Sequence, residues 1–436
     1  MLTDKCTIFL VTDGNSPAPP VRRRAALANP GFRKFWISAT VSGIGNTLIP
    51  VTQAFAVLRL GGGSVALGVV LASGAITQVL LLPIGGVWSD RVSRKTLIVS
   101  TDGISGLLYC FMGLLLFTGN ARVWQFIVLS VLTAILTAFY RPAISGLVAQ
   151  LVPKSELQSA NALISLSGGA PRLIGPAIAG ILATVAGPSW AFLIDGISFF
   201  AAIALISSVQ AVALDSAPAG RKAFWKEFTA GAREITAPWI WQNLLAHGVW
   251  NLGFCTLFVV GPAILIGHGR VADWAAVATG LALGSVGGAA LALRVKAKRP
   301  LVVGGLALLP GAMPFIALII GVPAWGIVIC AVLAAAGVDV VNALWSATLQ
   351  ARVGADKIGK VSSYDLMISL CTTPVSYLAA GIMLRSFGAT TILVVSIVLI
   401  VIPASLVSLS RSIRAVRSPS AEATEVQVGV DADELS

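Results

Sequence analysis

Charge is scarce in this sequence. Only 11% of its 436 residues are Asp, Glu, Lys or Arg, while 56% are apolar and the mean hydropathy is +0.90. A soluble domain carries roughly 25% charged and about 45–50% apolar residues, so a solvated surface of ordinary extent is excluded. Histidine is nearly absent: His247 and His268 are the only two, too few for a histidine-based metal or catalytic cluster. No HExxH, GxSxG or GxGxxG string occurs. "GADKIGKV" (354–361) comes close to a phosphate-binding loop but ends in Val361, where a magnesium-binding hydroxyl is required, and it joins two apolar segments instead of following a strand. The five cysteines form no CxxC pair; Cys110, Cys255, Cys330 and Cys371 sit within apolar runs and only Cys6 lies outside them. They read as small packing residues, not as a disulfide framework. A resident metal or cofactor is not expected.

What the sequence has in abundance is long apolar segments. A membrane span needs about 20 mostly apolar residues, and twelve such segments can be read. They are 36–58, 65–88, 96–118, 123–147, 160–186 and 189–210, then 241–266, 272–293, 300–321, 324–350, 361–384 and 388–410. With both termini on the cytoplasmic side, 24 of the 30 Lys and Arg residues fall on that side. Arg59, Arg122, Arg270 and Arg385 fall outside, and Arg141 and Arg172 fall within spans. This is the positive-inside distribution, and one span more or fewer would destroy it. It also accounts for the net charge of +12 without nucleic acid as a partner.

The expected fold is therefore all-α: a polytopic membrane protein of twelve transmembrane helices in two pseudo-symmetric six-helix halves. Residues 1–35 read as a disordered cytoplasmic arm, since "CTIFLV" is too short for the core of a signal peptide. Residues 36–210 form the first half and 241–410 the second. The connection 211–240 contains "FWKEFTAGAREI", whose Phe224, Phe228, Ala232 and Ile235 share one helical face, as in an amphipathic interfacial helix. Residues 411–436 read as a disordered cytoplasmic tail. An offset of 203 aligns Gly85 with Gly288, Arg91 with Arg294, Val92 with Val295 and Lys95 with Lys298. An offset of 201 weakly aligns "QLVPKSEL" (150–157) with "ARVGADKI" (351–358), which together suggest parallel six-span repeats.

Charges inside a span cost about 2.5–3.5 kcal/mol at the membrane centre, so they are the best functional pointers. They are Asp102, Arg141, Arg172, Asp195, Asp339 and Asp365, with His247 near the start of the seventh span. Arg172 and Asp339 lie nearest mid-span and are expected to line a central cavity. Asp102, Asp195 and Asp365 lie nearer span ends and are expected to make structural pairs, and Arg141 to neutralise nearby carboxylates. Gly175, Pro176 and Gly180 in "RLIGPAIAGIL" (172–182) permit close helix approach and bending.

"GGVWSDRVSRKTL" (85–97), between the second and third spans, contains Gly86-x3-Asp90-Arg91-x2-Arg94-Lys95. This resembles the signature loop of the major facilitator superfamily, with Ser93 where the family usually has glycine. "FYRPAISGLVAQLVPKSELQSANAL" (139–163), "GPSWAFLIDGISFF" (187–200) and "LWSATLQARVGADKIGKVSSYD" (344–365) resemble its exporter branch, which includes the enterobactin exporter and macrolide-efflux proteins. The resemblance covers about 30–410. It implies a monomeric bacterial inner-membrane transporter with both termini cytoplasmic. Such a protein exports small, partly hydrophobic molecules by alternating access, driven by proton antiport, and needs no cofactor. Relatives often carry an Asp where this chain has Asn46, so any proton must be carried by Asp102, Asp195, Asp339 or Asp365.

Asp90 has no repeat partner; Leu293 stands in its place. At the C-terminal end of a helix its charge is disfavoured by the helix dipole. The resemblance supplies a partner, the N-terminus of the eleventh span near Ser362 and Ser363, so Asp90 is expected to form a cytoplasmic latch. Two other readings stay open: an uptake permease of the same fold, and a membrane receptor or sensor. A membrane-embedded enzyme lacks a suitable His or carboxylate cluster.

Overall fold

Residues 25–89, 93–209 and 237–418 are described by a computed structural model, and every regular element among them is helical. Among these residues the spans are α1 (Pro30–Arg59), α2 (Gly63–Ser89), α3 (Arg94–Phe117), α4 (Val123–Leu151), α5 (Leu157–Val185) and α6 (Pro188–Ser207). The second half has α7 (Pro238–Gly267), α8 (Val271–Ala292), α9 (Pro300–Ile320) and α10 (Ala324–Arg352). A 55-residue helical stretch follows, Ala355–Leu409, broken at Gly388 (φ 83°, ψ 173°). Unbroken, it would be about 80 Å long, against a hydrocarbon core of about 30 Å. It is therefore two spans, α11 (355–387) and α12 (389–409), and glycine is the residue that takes the backbone angles of the reversal without strain. The total is the expected twelve. The amphipathic helix expected at 224–235 and the loop residues Asp90 and Arg91 lie outside the described residues.

The helices run a few residues past the expected bounds at several ends, among them α11, which begins at Ala355 instead of 361, and two differences concern segments read as disordered. α1 begins at Pro30, not at 36. The Asn29 side chain caps it, accepting from the Gly31 and Phe32 amides (2.9 and 3.2 Å) and donating to the Leu151 carbonyl of α4 (2.6 Å). Proline suits the first helical position because its missing N–H has no partner there. Arg33 and Lys34, read as part of the arm, are the exposed side of a helix whose Phe32 and Phe35 are buried. At the other end, Arg411–Arg414 form a short helix. Ile413 and Val416 are buried against the second half, and Arg352 Nη2 donates to the Arg417 carbonyl (2.7 Å). The chain from 411 to 418 is therefore docked where a disordered tail was expected, because its two apolar residues find a buried site.

Both α1 and α7 break in mid-span. Pro50 cannot supply the N–H that would bond the Asn46 carbonyl, and α1 breaks at Thr47–Leu48. α7 breaks at Thr256, whose hydroxyl donates to the Gly253 carbonyl (2.7 Å). Just before each break a glycine meets the last helix of its own half: Gly45 lies against Asp195, and Gly253 against Ser396. This shared detail marks the halves as copies more firmly than the loop alignment does.

Within the first half α3 packs on α6, α2 on α4, and α1 on both α5 and α6; in the second, α8 and α9 pack on α10, and α7 on the α11–α12 stretch. The halves meet through α2 with α11 and α5 with α8, a pseudo-symmetric pair of seams. Long apolar side chains face outward in stripes, such as Leu107, Phe111 and Leu114 on α3 and Ile402, Leu406 and Leu409 on α12. Exposed apolar surface of that extent fits contact with lipid.

Candidate functional site

The seams are tight at the end of the molecule away from the termini. Ser64 Oγ donates to the Gly381 carbonyl (3.0 Å). A Cβ on Gly68 would sit 2.5 Å from the Tyr377 carbonyl, and one on Gly381 would sit 2.7 Å from that of Ser64. A Cβ on Gly180 of α5 would collide with Ala275 of α8. A single buried apolar cluster at this end draws on both halves, from Val57 and Ala183 to Trp274 and Ala331. At the end that holds the termini the clusters are separate. Phe32, Phe35, Leu147 and Ile206 belong to one, and Leu244, Trp345, Leu349 and Val407 to another. Among the described residues, then, one apolar cluster spans both halves at the far end, while near the termini each half has its own.

Inside the first half a cavity of about 60 Å³ opens among α1, α3, α4 and α6, lined by Asn46, Thr101, Asp102, Ser105, Tyr109, Thr133, Thr137 and Tyr140 among others. That is room for a few water molecules. Asp102 is 3% exposed, and no described cation lies within ion-pair distance of it. Around it stand the hydroxyl-bearing Tyr109, Thr133 and Tyr140. Tyr109 also stacks on Phe199 (centroids 5.9 Å apart, planes at 4°). Directly behind, Asp195 of α6 is fully buried. Ser198 Oγ is 3.5 Å from its Oδ1, and Oδ2 has no hydrogen-bond partner. Neither carboxylate makes the structural pair expected of it; pairing would need a cation on a neighbouring helix, and the described neighbours offer only hydroxyls and rings.

The other candidates are placed elsewhere. Asp365 on α11 lies 3.5 Å from His247 Nδ1 on α7 and accepts from Trp345 Nε1 of α10 (3.2 Å). Asp339 on α10 accepts from Ser285 Oγ of α8 (2.5 Å). Arg141 and Arg172 are exposed, on α4 and α5, and neither is within ion-pair reach of a described carboxylate. Of the loop signature, Gly86 lies within α2. Arg94 and Lys95 open α3 behind the cap Ser93, and both are engaged. Arg94 Nη1 donates to the Gly146 carbonyl of α4 (2.6 Å), and Lys95 Nζ to the Ser207 and Val209 carbonyls at the end of α6 (2.5 and 2.7 Å). Cations suit a helix C-terminus, where carbonyls point outward unpaired.

The hydroxyl-bearing residues around Asp102 were missed by a reading that counted charges. Their signal was present: Thr101, Ser105 and Tyr109 on one span and Thr133, Thr137 and Tyr140 on the next recur at helical spacing. Tertiary pairs such as His247–Asp365 carry no such local signal.

Comparison with known proteins bears on what this arrangement serves. The sequence profile of the Major Facilitator Superfamily matches residues 35–370. The chain is similar to two proteins of Bacillus subtilis (strain 168). With Multidrug resistance protein 2 it is 33% identical over 172 residues, 39% of each chain. With Multidrug resistance protein 1 it is 34% identical over 144 residues, 33% of this chain and 35% of the relative. Each match spans well under half of the relative's own length. Among solved structures, it resembles a bacterial homologue of the human lysosomal transporter Spinster in an inward-facing, unoccupied conformation. The TM-score is 0.66 at 18% identity, covering 92% of this chain and all of that one. It also resembles a variant of the nucleoside transporter NupG, with a TM-score of 0.71 at 10% identity, over 87% of this chain and all of that one. At such identities these structures speak to the fold alone.

Proposed function

We propose that this chain, which belongs to the major facilitator superfamily, is a secondary active transporter that exports small, partly hydrophobic molecules by alternating access, driven by proton antiport. The carrying observation is the contrast, among the described residues, between the far end, where one apolar cluster spans both halves, and the terminus end, where each half has its own. With the termini in the cytoplasm, as the Lys and Arg distribution favours, the end joined by the shared cluster is the outer one. Substrate would then approach from the cytoplasm and meet the first-half cavity. Arg141 and Arg172 are exposed within the chain's spans, Arg172 near mid-span. Exposure to lipid would cost several kcal/mol on insertion scales, so they are assigned to the water-filled cleft. Small molecules, including antibiotics, siderophores and secondary metabolites, are the substrate class; the names of the Bacillus relatives favour export over uptake.

Asp195 is the best proton carrier. A proton needs no coordination shell, and a carboxyl oxygen with no partner in a closed apolar setting can be satisfied by one. Asp195 also touches α1 through Gly45, just before its break, so a change in its charge acts on that break. One proton moving through 100 mV supplies about 2.3 kcal/mol. Asp90 is assigned to a cytoplasmic latch with the start of α11, broken when the inner gate opens. D90N is expected to impair transport without reducing membrane insertion, and full activity in D90N would reject the latch.

The test compares accumulation of a broad drug panel in cells with and without the gene, then uptake of the responding compound into inverted vesicles. Export predicts lower accumulation in expressing cells, and vesicle uptake that stops when the proton gradient is collapsed. Higher accumulation in expressing cells would mark an uptake permease instead. An unchanged profile across the panel counts against efflux.

A further inference from the structure

The two buried carboxylates of the first half sit in different chemistry. Asp195 is enclosed, with a single hydroxyl near one oxygen and none near the other. Asp102 faces a cavity ringed by oxygen-bearing side chains: Asn46, Thr101, Ser105, Thr133, Thr137 and the two tyrosines. Neither oxygen of Asp102 hydrogen-bonds to any described group, although the residue is buried. The hydroxyls are steadied from behind, Thr101 by the carbonyls of Leu97 and Ile98 (2.8 and 3.0 Å), Thr133 by that of Leu129 and Thr137 by that of Thr133 (2.8 Å each). Each of these hydroxyls donates or accepts one bond and keeps a lone pair free.

We propose that the cavity around Asp102 binds a sodium ion. Hard cations take oxygen ligands from carboxylates, carbonyls, hydroxyls and water, which is the donor set here. One carboxylate balances one positive charge. Calcium and magnesium are bound by sites with more anionic ligands, and the lining here carries one carboxylate. Asn46 adds an amide oxygen where an aspartate would have brought a second negative charge, so its identity fits a monovalent ion. Soft or imidazole-binding metals are disfavoured, since no group of three or more His, Cys, Asp or Glu is assembled among the described residues. The division of labour is then chemical: the coordinating cavity takes sodium at Asp102, and the closed site takes a proton at Asp195. A role for sodium in coupling rests on the transporter reading above; the binding site does not.

The experiment therefore uses binding, not transport. The purified full chain in detergent is titrated with NaCl and with choline chloride at equal ionic strength and fixed pH. Bound ²²Na⁺ and the thermal unfolding midpoint are followed, because a ligand of the native state raises its stability in a saturable way. Sodium is expected to bind saturably and raise the midpoint, choline to do neither. D102N should lose both effects, D195N should keep both, and T101V and S105A should shift half-saturation to higher sodium. Coincident sodium and choline curves in the wild type, a cavity that takes only protons, would overturn the proposal. So would sodium binding that survives in D102N. If D102N fails to fold, unchanged half-saturation in both T101V and S105A overturns it equally.

Discussion

The two halves share a scaffold and differ in what fills it. Thr101, Asp102 and Ser105 of α3 line the first-half cavity; Gly304, Gly305 and Leu308, each 203 residues later, line a cavity in the second half. Tyr140 on α4 and Phe199 on α6 are answered by Leu344 on α10 and Pro403 on α12. The second cavity is thus apolar where the first is polar, with His247 and Asn243 at its edge. Asp195 has its counterpart in Ser396, which hydrogen-bonds Thr256 at the break of α7 (2.7 Å). Among the described residues, the buried carboxylates, Asp102 and Asp195, both lie in the first half, while Asp339 and Asp365 of the second are only half-buried and meet Ser285, His247 and Trp345.

The largest expected effect comes from forcing the halves to match. G305D would place a carboxylate where Asp102's counterpart stands, but any Cβ at Gly305 collides with Ser408 Oγ. The charge alone costs about 2.5–3.5 kcal/mol at the membrane centre. Folded protein recovered after size-exclusion chromatography should nearly vanish, and a normal yield would show that the second half tolerates the chemistry of the first. Next comes the seam. G381V overpacks the contact with Ser64 and Val65 at a cost of about 1–3 kcal/mol. Only the far-end-closed state pays it, so that state should lose population up to about a hundredfold. Labelling of a cysteine introduced into the cleft, from the far side, should rise accordingly.

Smaller effects test the second half and the loop. S396A removes one hydroxyl pair worth about 1 kcal/mol. It should lower the unfolding midpoint slightly and leave gradient-driven transport intact, unlike any change at Asp195. K95Q removes a cation from the end of α6, worth about 0.3–1 kcal/mol, with a small loss of thermal stability and no change in sodium dependence. A transport defect in K95Q as deep as that of D90N would mean the loop cations act in gating.

How much of this was legible in the sequence follows from where the determining forces act. Hydrophobic run length and the sidedness of Lys and Arg depend on the bilayer alone, and they yield the twelve spans. Boundaries failed where a basic pair sat on a helix: Arg33 and Lys34 looked like loop, but Phe32 and Phe35 at i and i+3 drive that turn into the core. Asp102 and Asp195 stood out because charge in a span is costly. Their surroundings did not, since threonine, serine and tyrosine barely alter hydropathy. The partners of Asp339 and Asp365 come from helices 54 and 118 residues away, a relation fixed only by packing.

The most direct test of coupling at Asp195 is uptake into inverted vesicles of the panel compound that responds best, at constant sodium, with wild type, D195N and S396A compared side by side. The account predicts gradient-dependent accumulation in wild type and S396A, and none in D195N despite normal insertion. Accumulation by D195N equal to wild type, abolished in both by collapsing the proton gradient, would contradict it.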